Sequence, residues 1–307
     1  MTRKVSYIEK SIYLPLSFVL SGMIFARYCY YGFEYFYQLD DYIQYHNYRA
    51  YGGDLWGLVK SLGMLSSRPL AGIMDIFVWS EFYGCMIAAV AIISALYMAS
   101  AIFFHMVFSK HFGTGYMFFV IYALLPLGFE GTYWISASSR IVVGAFFASL
   151  SLLFFDEWCE KGGKSRLAAF SVFQFIAFCF YEQVILLSGA ATFAVMLCHA
   201  KKRGRERMRW GLLMFPNAAI YFTVTKIAPS GVYGQRAELF LPWQYGYKDE
   251  VFTPLLNQIK EVFIKGNAAT LSKGLVRGFK LLVLEPNLIY VLIVLAFCFS
   301  LYMIVIN

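Results

Sequence analysis

Residues 167–199 read LAAFSVFQFIAFCFYEQVILLSGAATFAVMLCH, an apolar run interrupted once, at Tyr181-Glu182-Gln183. As one long broken helix the run crosses a membrane once. As two short helices with a tight turn it crosses twice. The flanks decide between them. Lys161, Lys164 and Arg166 precede the run, and Lys201, Lys202, Arg203, Arg205, Arg207 and Arg209 follow it. Short basic flanks belong on the cytoplasmic side of a membrane. An even number of crossings is then required, and two helices hinged at Glu182 supply it.

The rest of the chain fits a membrane reading. Its 307 residues are 60% hydrophobic, 20% aromatic and 14% charged, with a mean hydropathy of +0.61. Charged residues make up about a quarter of a soluble domain. Crossing a ~30 Å hydrocarbon core takes about 20 apolar residues, and apolar spans fall at 12–31, 82–108, 116–130, 141–157, 167–181, 183–199, 210–228 and 281–306. The expected fold is all-α: a polytopic transmembrane helical bundle of about eight spans. We take residues 1–307 as a single transmembrane domain. Arg3, Lys4 and Lys10 ahead of the first span resemble a signal peptide, but the apolar run is too long and lacks a small-x-small cleavage site, so it reads as a retained helix.

Alternation from a cytoplasmic N-terminus puts 32–81, 131–140, the Glu182 turn and 229–280 outside, and 109–115, 156–166 and 200–209 inside. The net charge of +8 collects largely in short inner loops, which accounts for it without nucleic acid. The outer loop 229–280 departs from that trend, with Arg236, Lys248, Lys260, Lys265, Lys273, Arg277 and Lys280 against Glu238, Asp249, Glu250 and Glu261. An anionic ligand is one reason for positive charge there. The first outer loop, 32–81, is rich in rings that suit a membrane–water interface (Tyr35, Tyr37, Tyr42, Tyr45, Tyr48, Tyr51, Trp56). With Ser67-Arg68-Pro69-Leu70 able to start a helix, it is expected to form two short interfacial helices. The chain stops at Asn307 straight after an apolar run, so either the last helix ends at the inner face or the protein continues.

The candidate chemistry lies at the outer helix ends. Asp40-Asp41 follows the first span in FYQLDDYIQYHNYR, residues 36–49. Adjacent carboxylates beside lipid-facing rings are costly unless solvated and used. Their structural alternative is an N-cap pair for an interfacial helix. Arg68, Glu130, Arg140 and Glu182 fall on the same side, as a site at a membrane surface requires. The alternatives are that Glu130 and Arg140 only mark the water boundary, and that Glu182 pairs structurally with Arg68 or Arg140. Asp156-Glu157 and the basic run 201–209 read as solvated loop charge on the other face. The six cysteines and four histidines are dispersed, with no metal or redox spacing, and no His/Cys metal site is read from them.

The acidic pair after the first helix, the aromatic loop with Ser-Ser-Arg-Pro-Leu, and Glu130 and Glu182 at outer ends together resemble the GT-C superfamily of integral membrane glycosyltransferases, over roughly residues 10–200. The chain is also similar in style to bacterial O-antigen glucosyltransferase-like membrane proteins. The resemblance implies a polyprenyl-phosphate-linked sugar as donor, a glycan or lipid as acceptor, and a site on the periplasmic or extracellular face of a bacterial cytoplasmic membrane. It implies a general base at Asp40 or Asp41, and basic groups such as Arg68, Arg140 and the 229–280 loop stabilising the departing phosphate. An Asp-Asp pair could also hold Mg²⁺ or Mn²⁺ through oxygen, although such enzymes commonly work without a metal. Two rival classes are open. One is a transporter or flippase of a polar or lipid-linked solute, marked by acidic residues in the membrane but expected to carry repeated halves. The other is an acyltransferase with His46 as base.

Overall fold

Tyr181 is extended, at φ −157° and ψ 126°, between helices over Lys164–Phe180 and Gln183–Arg203. The apolar run of 167–199 is therefore two helices joined at a sharp break. The computed structural model describes residues 13–30, 35–38, 40–124, 134–203, 209–228, 243–260, 266–284 and 288–306. Among these, every regular element is helical and there is no strand. Three stretches are long and apolar enough to cross a membrane: Trp79–Phe112, Ile135–Lys161 and Gln183–Ala200. Helices of that kind mark a membrane protein.

In chain order the α-helices are α1 Tyr13–Tyr30, α2 His46–Ala50, α3 Leu55–Ser61, α4 Pro69–Phe77, α5 Met86–Phe112, α6 Met117–Leu124 and α7 Ile135–Lys161. They continue with α8 Lys164–Phe180, α9 Gln183–Arg203, α10 Met214–Ile227, α11 Thr253–Lys260, α12 Gly266–Leu284 and α13 Leu288–Ile306. The chain divides into two units. One holds residues 37–115 and 133–238; the other holds 1–36, 116–132 and 239–307.

In the first unit α7 is central, packed along α5, α8 and α9. Small residues make that possible. Ser138, Gly144, Ala145, Ala148, Ser149 and Ser151 of α7 are buried, and helices in a membrane associate by backbone approach at such residues. A Cβ on Gly144 would meet Val184 Cγ2 at 3.0 Å and Phe180 Cβ at 3.5 Å, so α7, α8 and α9 are in contact there. Uncharged polar side chains link the helices further along. Buried Gln174 donates to Ser188 Oγ at 3.1 Å and accepts from Asn217 Nδ2 at 3.0 Å. Gly162 and Gly163, at φ 72° and 101°, turn α7 directly into α8. In the other unit, α1 packs against α12 and α13.

Several expectations need correction. The first outer loop is not two surface helices but a series of short pieces. They are a π-helical turn Asp41–Tyr45, α2, α3, a 3₁₀ turn Met64–Ser66, α4 and a 3₁₀ segment Trp79–Cys85. The breaks fall at residues that favour a turn or a helix start: Gly52-Gly53, Gly63 at φ 70°, and Pro69, which opens α4 at its first position. Tyr45 and Tyr48 are buried core, while Tyr37, Tyr42, Tyr51 and Trp56 are exposed. The stretch 229–280 is not a plain loop, because α11 and most of α12 lie in it, with Lys273, Arg277 and Lys280 exposed. Arg236 and Lys265 lie outside the described residues. The fourth predicted span begins at Ile135 rather than 141, which puts Arg140 inside α7 instead of ahead of it. Cys159 and Cys179 are buried as expected, but Cys85 and Cys298 are exposed.

Candidate functional site

The first turn of α7 leaves backbone N–H groups without intrahelical acceptors, and the preceding Trp134 offers no capping side chain. Asp41 supplies the acceptor from another part of the chain. It is fully buried, and its Oδ1 accepts the Ser136 N–H at 2.7 Å while Oδ2 accepts the Gln38 N–H at 3.2 Å. A carboxylate is favoured at the positive end of the α7 dipole. The N-cap reading of the acidic pair therefore holds for Asp41 in altered form, since it caps α7 and not the surface helix beside it. Asp40 is different. It is half-buried, and its carboxylate makes no hydrogen bond or ion pair with a described residue. The pair does not fit Mg²⁺ or Mn²⁺, because both Asp41 oxygens already accept N–H bonds at a positive helix end that repels a cation.

One turn into α7, a second carboxylate organises a buried network. Asp75 of α4 is fully buried. Its Oδ1 accepts from Tyr45 Oη at 3.0 Å and Ser139 Oγ at 3.1 Å; its Oδ2 accepts from Arg140 Nε at 3.0 Å and Nη2 at 2.7 Å. Arg140 Nη2 also donates to Gln44 Oε1 at 3.1 Å. Burial, and after it the Asp75 charge, push the Tyr45 hydroxyl far above its ordinary range, so it stays a neutral donor. Arg140 is thus held by Asp75, a partner the sequence reading did not assign to it.

The helix break at Tyr181 carries the third feature. Arg68 Nε and Nη2 grip Glu182 Oε2 and Oε1 at 2.7 and 2.6 Å, and the guanidinium lies 4.4 Å over the Tyr181 ring. Burial alone would raise the Glu182 carboxyl. The Arg68 bonds and charge, helped by Arg140, outweigh it and hold the group below its ordinary value. The structural pairing of Arg68 with Glu182 is therefore present. It uses one edge of the fork, and Nη1 has no partner among the described residues. The pair is partly open, with side chains 21% and 25% exposed.

Tyr37, Tyr42 and His46, close to Asp40 in the chain, gather with Tyr83: Tyr42 stacks on His46 at 5.8 Å, and Tyr83 meets His46 edge-on at 5.5 Å and tilts against Tyr37 at 4.8 Å. Tyr37, Tyr42 and His46 are exposed. Asp40, Asp41, Arg68, Arg140 and Glu182 thus belong to one end of the unit built on α7, and Glu130 lies outside the described residues. Tyr45 and Tyr181 were missed as members, and Asp75, weighed only as a salt-bridge partner of Arg68, enters through Arg140. The only signal for Asp75 in the sequence is one acidic residue within an apolar helix, PLAGIMDIF.

The other end of α7 overturns a further expectation. Asp156 is not solvated loop charge: its carboxylate is buried and bonded by Lys110, His111 and His199. Glu157, half-exposed, pairs with Arg166 at 3.2 Å. No protein-family model, no curated protein and no solved structure matches this chain.

Proposed function

We propose that this chain is a membrane glycosyltransferase that moves a sugar from a polyprenyl-phosphate donor to a glycan or lipid acceptor. In this reading about eight spans sit in a bacterial cytoplasmic membrane, and the Asp40 end of α7 faces the periplasm. One observation carries the proposal: Asp40 is an unengaged, half-buried carboxylate among neighbours that are all engaged. Close to it in the chain are the exposed rings of Tyr37, Tyr42 and His46, on which the apolar face of a sugar can pack. The charged side chains of α7 also fall near its ends, at Arg140 and at Asp156, Glu157, Glu160 and Lys161, with uncharged side chains between them. That pattern favours chemistry at a membrane surface over a polar path through it.

In the proposed step the Asp40 carboxylate takes the proton of the acceptor hydroxyl. The acceptor oxygen then bonds to the anomeric carbon from the face opposite the leaving group. The bond from that carbon to the donor phosphate oxygen breaks, its electron pair going to the phosphate. Arg68 offers its free Nη1 edge to that phosphate, oriented by Glu182 and Tyr181. Asp41, Asp75 and Arg140 position the loop that carries Asp40. The test is transfer of labelled sugar from polyprenyl-phosphate donors by purified protein and by Asp40→Asn and Asp41→Asn. Asp40→Asn should lose transfer by ~10²-fold or more with unchanged thermal stability, whereas Asp41→Asn should lower stability. Near-normal transfer by Asp40→Asn would overturn the proposal.

A further inference from the structure

His111 ends α5, Asp156 sits in the last turns of α7, and His199 lies near the end of α9. Residues 140 to 156 of α7 rise ~24 Å at about 1.5 Å each, so this cluster is far from Asp40. Both imidazoles turn Nε2 onto the same carboxylate oxygen. His111 Nε2 is 2.6 Å and His199 Nε2 2.8 Å from Asp156 Oδ1. The three donor groups lie within 4.8 Å of one another. All are buried, with side chains 1%, 5% and 4% exposed. Lys110 bonds Asp156 Oδ2 and lies 2.8 Å from Glu160 Oε2.

This is a poor arrangement for hydrogen bonding alone. Both Nε2 atoms converge on one oxygen, and the other nitrogen of each ring, Nδ1, is buried with no partner among the described residues. With neutral rings, Lys110 contributes +1 and Asp156 and Glu160 contribute −1 each, leaving the cluster at −1. A cation taken up among the two Nε2 atoms and Oδ1 would meet two borderline imidazole nitrogens and a hard anionic oxygen. That donor set suits Zn²⁺ and neighbouring transition metals rather than Mg²⁺ or Ca²⁺, which take oxygen. Bonds of about 2.0–2.1 Å put tetrahedral ligands ~3.3 Å apart, so the two Nε2–Oδ1 distances would open by about 0.5–0.7 Å. The partly exposed Lys110–Glu160 pair marks the solvent side, where water can complete the shell.

We propose that His111, Asp156 and His199 form a transition-metal site of the Zn²⁺ class that fastens the ends of α5, α7 and α9. The proposal is independent of the glycosyltransferase reading. The test uses full-length protein in detergent, stripped with a chelator and reloaded with Zn²⁺ or Co²⁺. The expected result is about one ion retained per chain, an intense visible d–d spectrum for Co²⁺ in a tetrahedral N₂O site, and a raised Tm for the Zn²⁺ form. His111→Gln and His199→Gln should each abolish retention and the metal-dependent Tm rise. The wild-type Co²⁺ spectrum keeps the test decisive if a variant does not fold. Failure of the wild-type protein to retain Zn²⁺ or Co²⁺, or a Tm that is the same with metal and with chelator, would overturn the site. Equal retention by both variants would overturn it too.

Discussion

Removing the Asp75 carboxylate should be the most damaging single change at the Asp40 end of α7. Asp75 is fully buried and balances Arg140, whose side chain is only 17% exposed. Asp75→Ala strands that guanidinium, takes away both of its carboxylate bonds, and leaves Tyr45 with Ser139 alone at 3.2 Å. Breaking a buried pair from one side costs about 3–5 kcal/mol, because an uncompensated charge is left behind. At about 2 °C per kcal/mol, suited to a chain of this size, Tm should fall by ~6–10 °C. Buried Cys159 and Cys179 give the assay: a thiol-reactive fluorophore reports their exposure on heating, over a baseline from exposed Cys85 and Cys298. The pairing carries its own control. Asp75→Leu with Arg140→Met removes both charges, and apolar replacement of a buried pair is often neutral or better, so most of the lost Tm should return. An Asp75→Ala loss as large in the Arg140→Met background as in the wild type would refute the idea that Asp75 acts by balancing Arg140.

Three further outcomes follow from the same geometry. Glu182 is held below its ordinary value of 4.5, so the stability it adds is present above that pH and lost as pH falls through the lowered folded value. Glu182→Gln should cost about 1–3 kcal/mol near neutrality, and its Tm deficit should shrink as pH is taken from about 6 to about 4; a deficit that does not change with pH counts against the ion pair. Gly72→Ala puts a methyl 2.4 Å from Met64 Cβ, an atom with no rotamer to escape through, and should lower stability by about 1–3 kcal/mol; an unchanged Tm would mean that α4 and the Met64–Ser66 turn are not in contact. Cysteines placed at 182 and 202, at opposite ends of α9 about 30 Å apart, should be labelled by a membrane-impermeant thiol reagent from opposite sides of the bilayer, and labelling from the same side would remove the topology on which the proposed function rests.

What could be read in the sequence divides along a physical line. Helices, and the break at Glu182, were legible because apolar runs and basic flanks are local signals. The partners of Asp41 and Arg140 were not, and the Arg68–Glu182 pair stood in the sequence only as one alternative. Asp41 bonds Ser136 across 95 positions, and Arg68 bonds Glu182 across 114. No spacing rule connects such pairs, because the helices that bring them together meet through small residues whose pattern in α7 does not say which neighbour they face. The same limit hid His111, Asp156 and His199. Dispersed histidines carry no metal signature in sequence, and an acidic residue near a helix end looks like solvated charge until a third helix covers it. The acidic pair shows the limit most sharply. Two adjacent aspartates are chemically identical in the sequence, yet Asp41 is fixed by the Ser136 and Gln38 N–H groups while Asp40 has no described partner. Both Asp41 oxygens are committed to N–H groups that hold the start of α7 and the loop together. The Asp40 carboxylate is committed to no described group, so if either aspartate is a base it is Asp40, with Asp41 holding the loop in place.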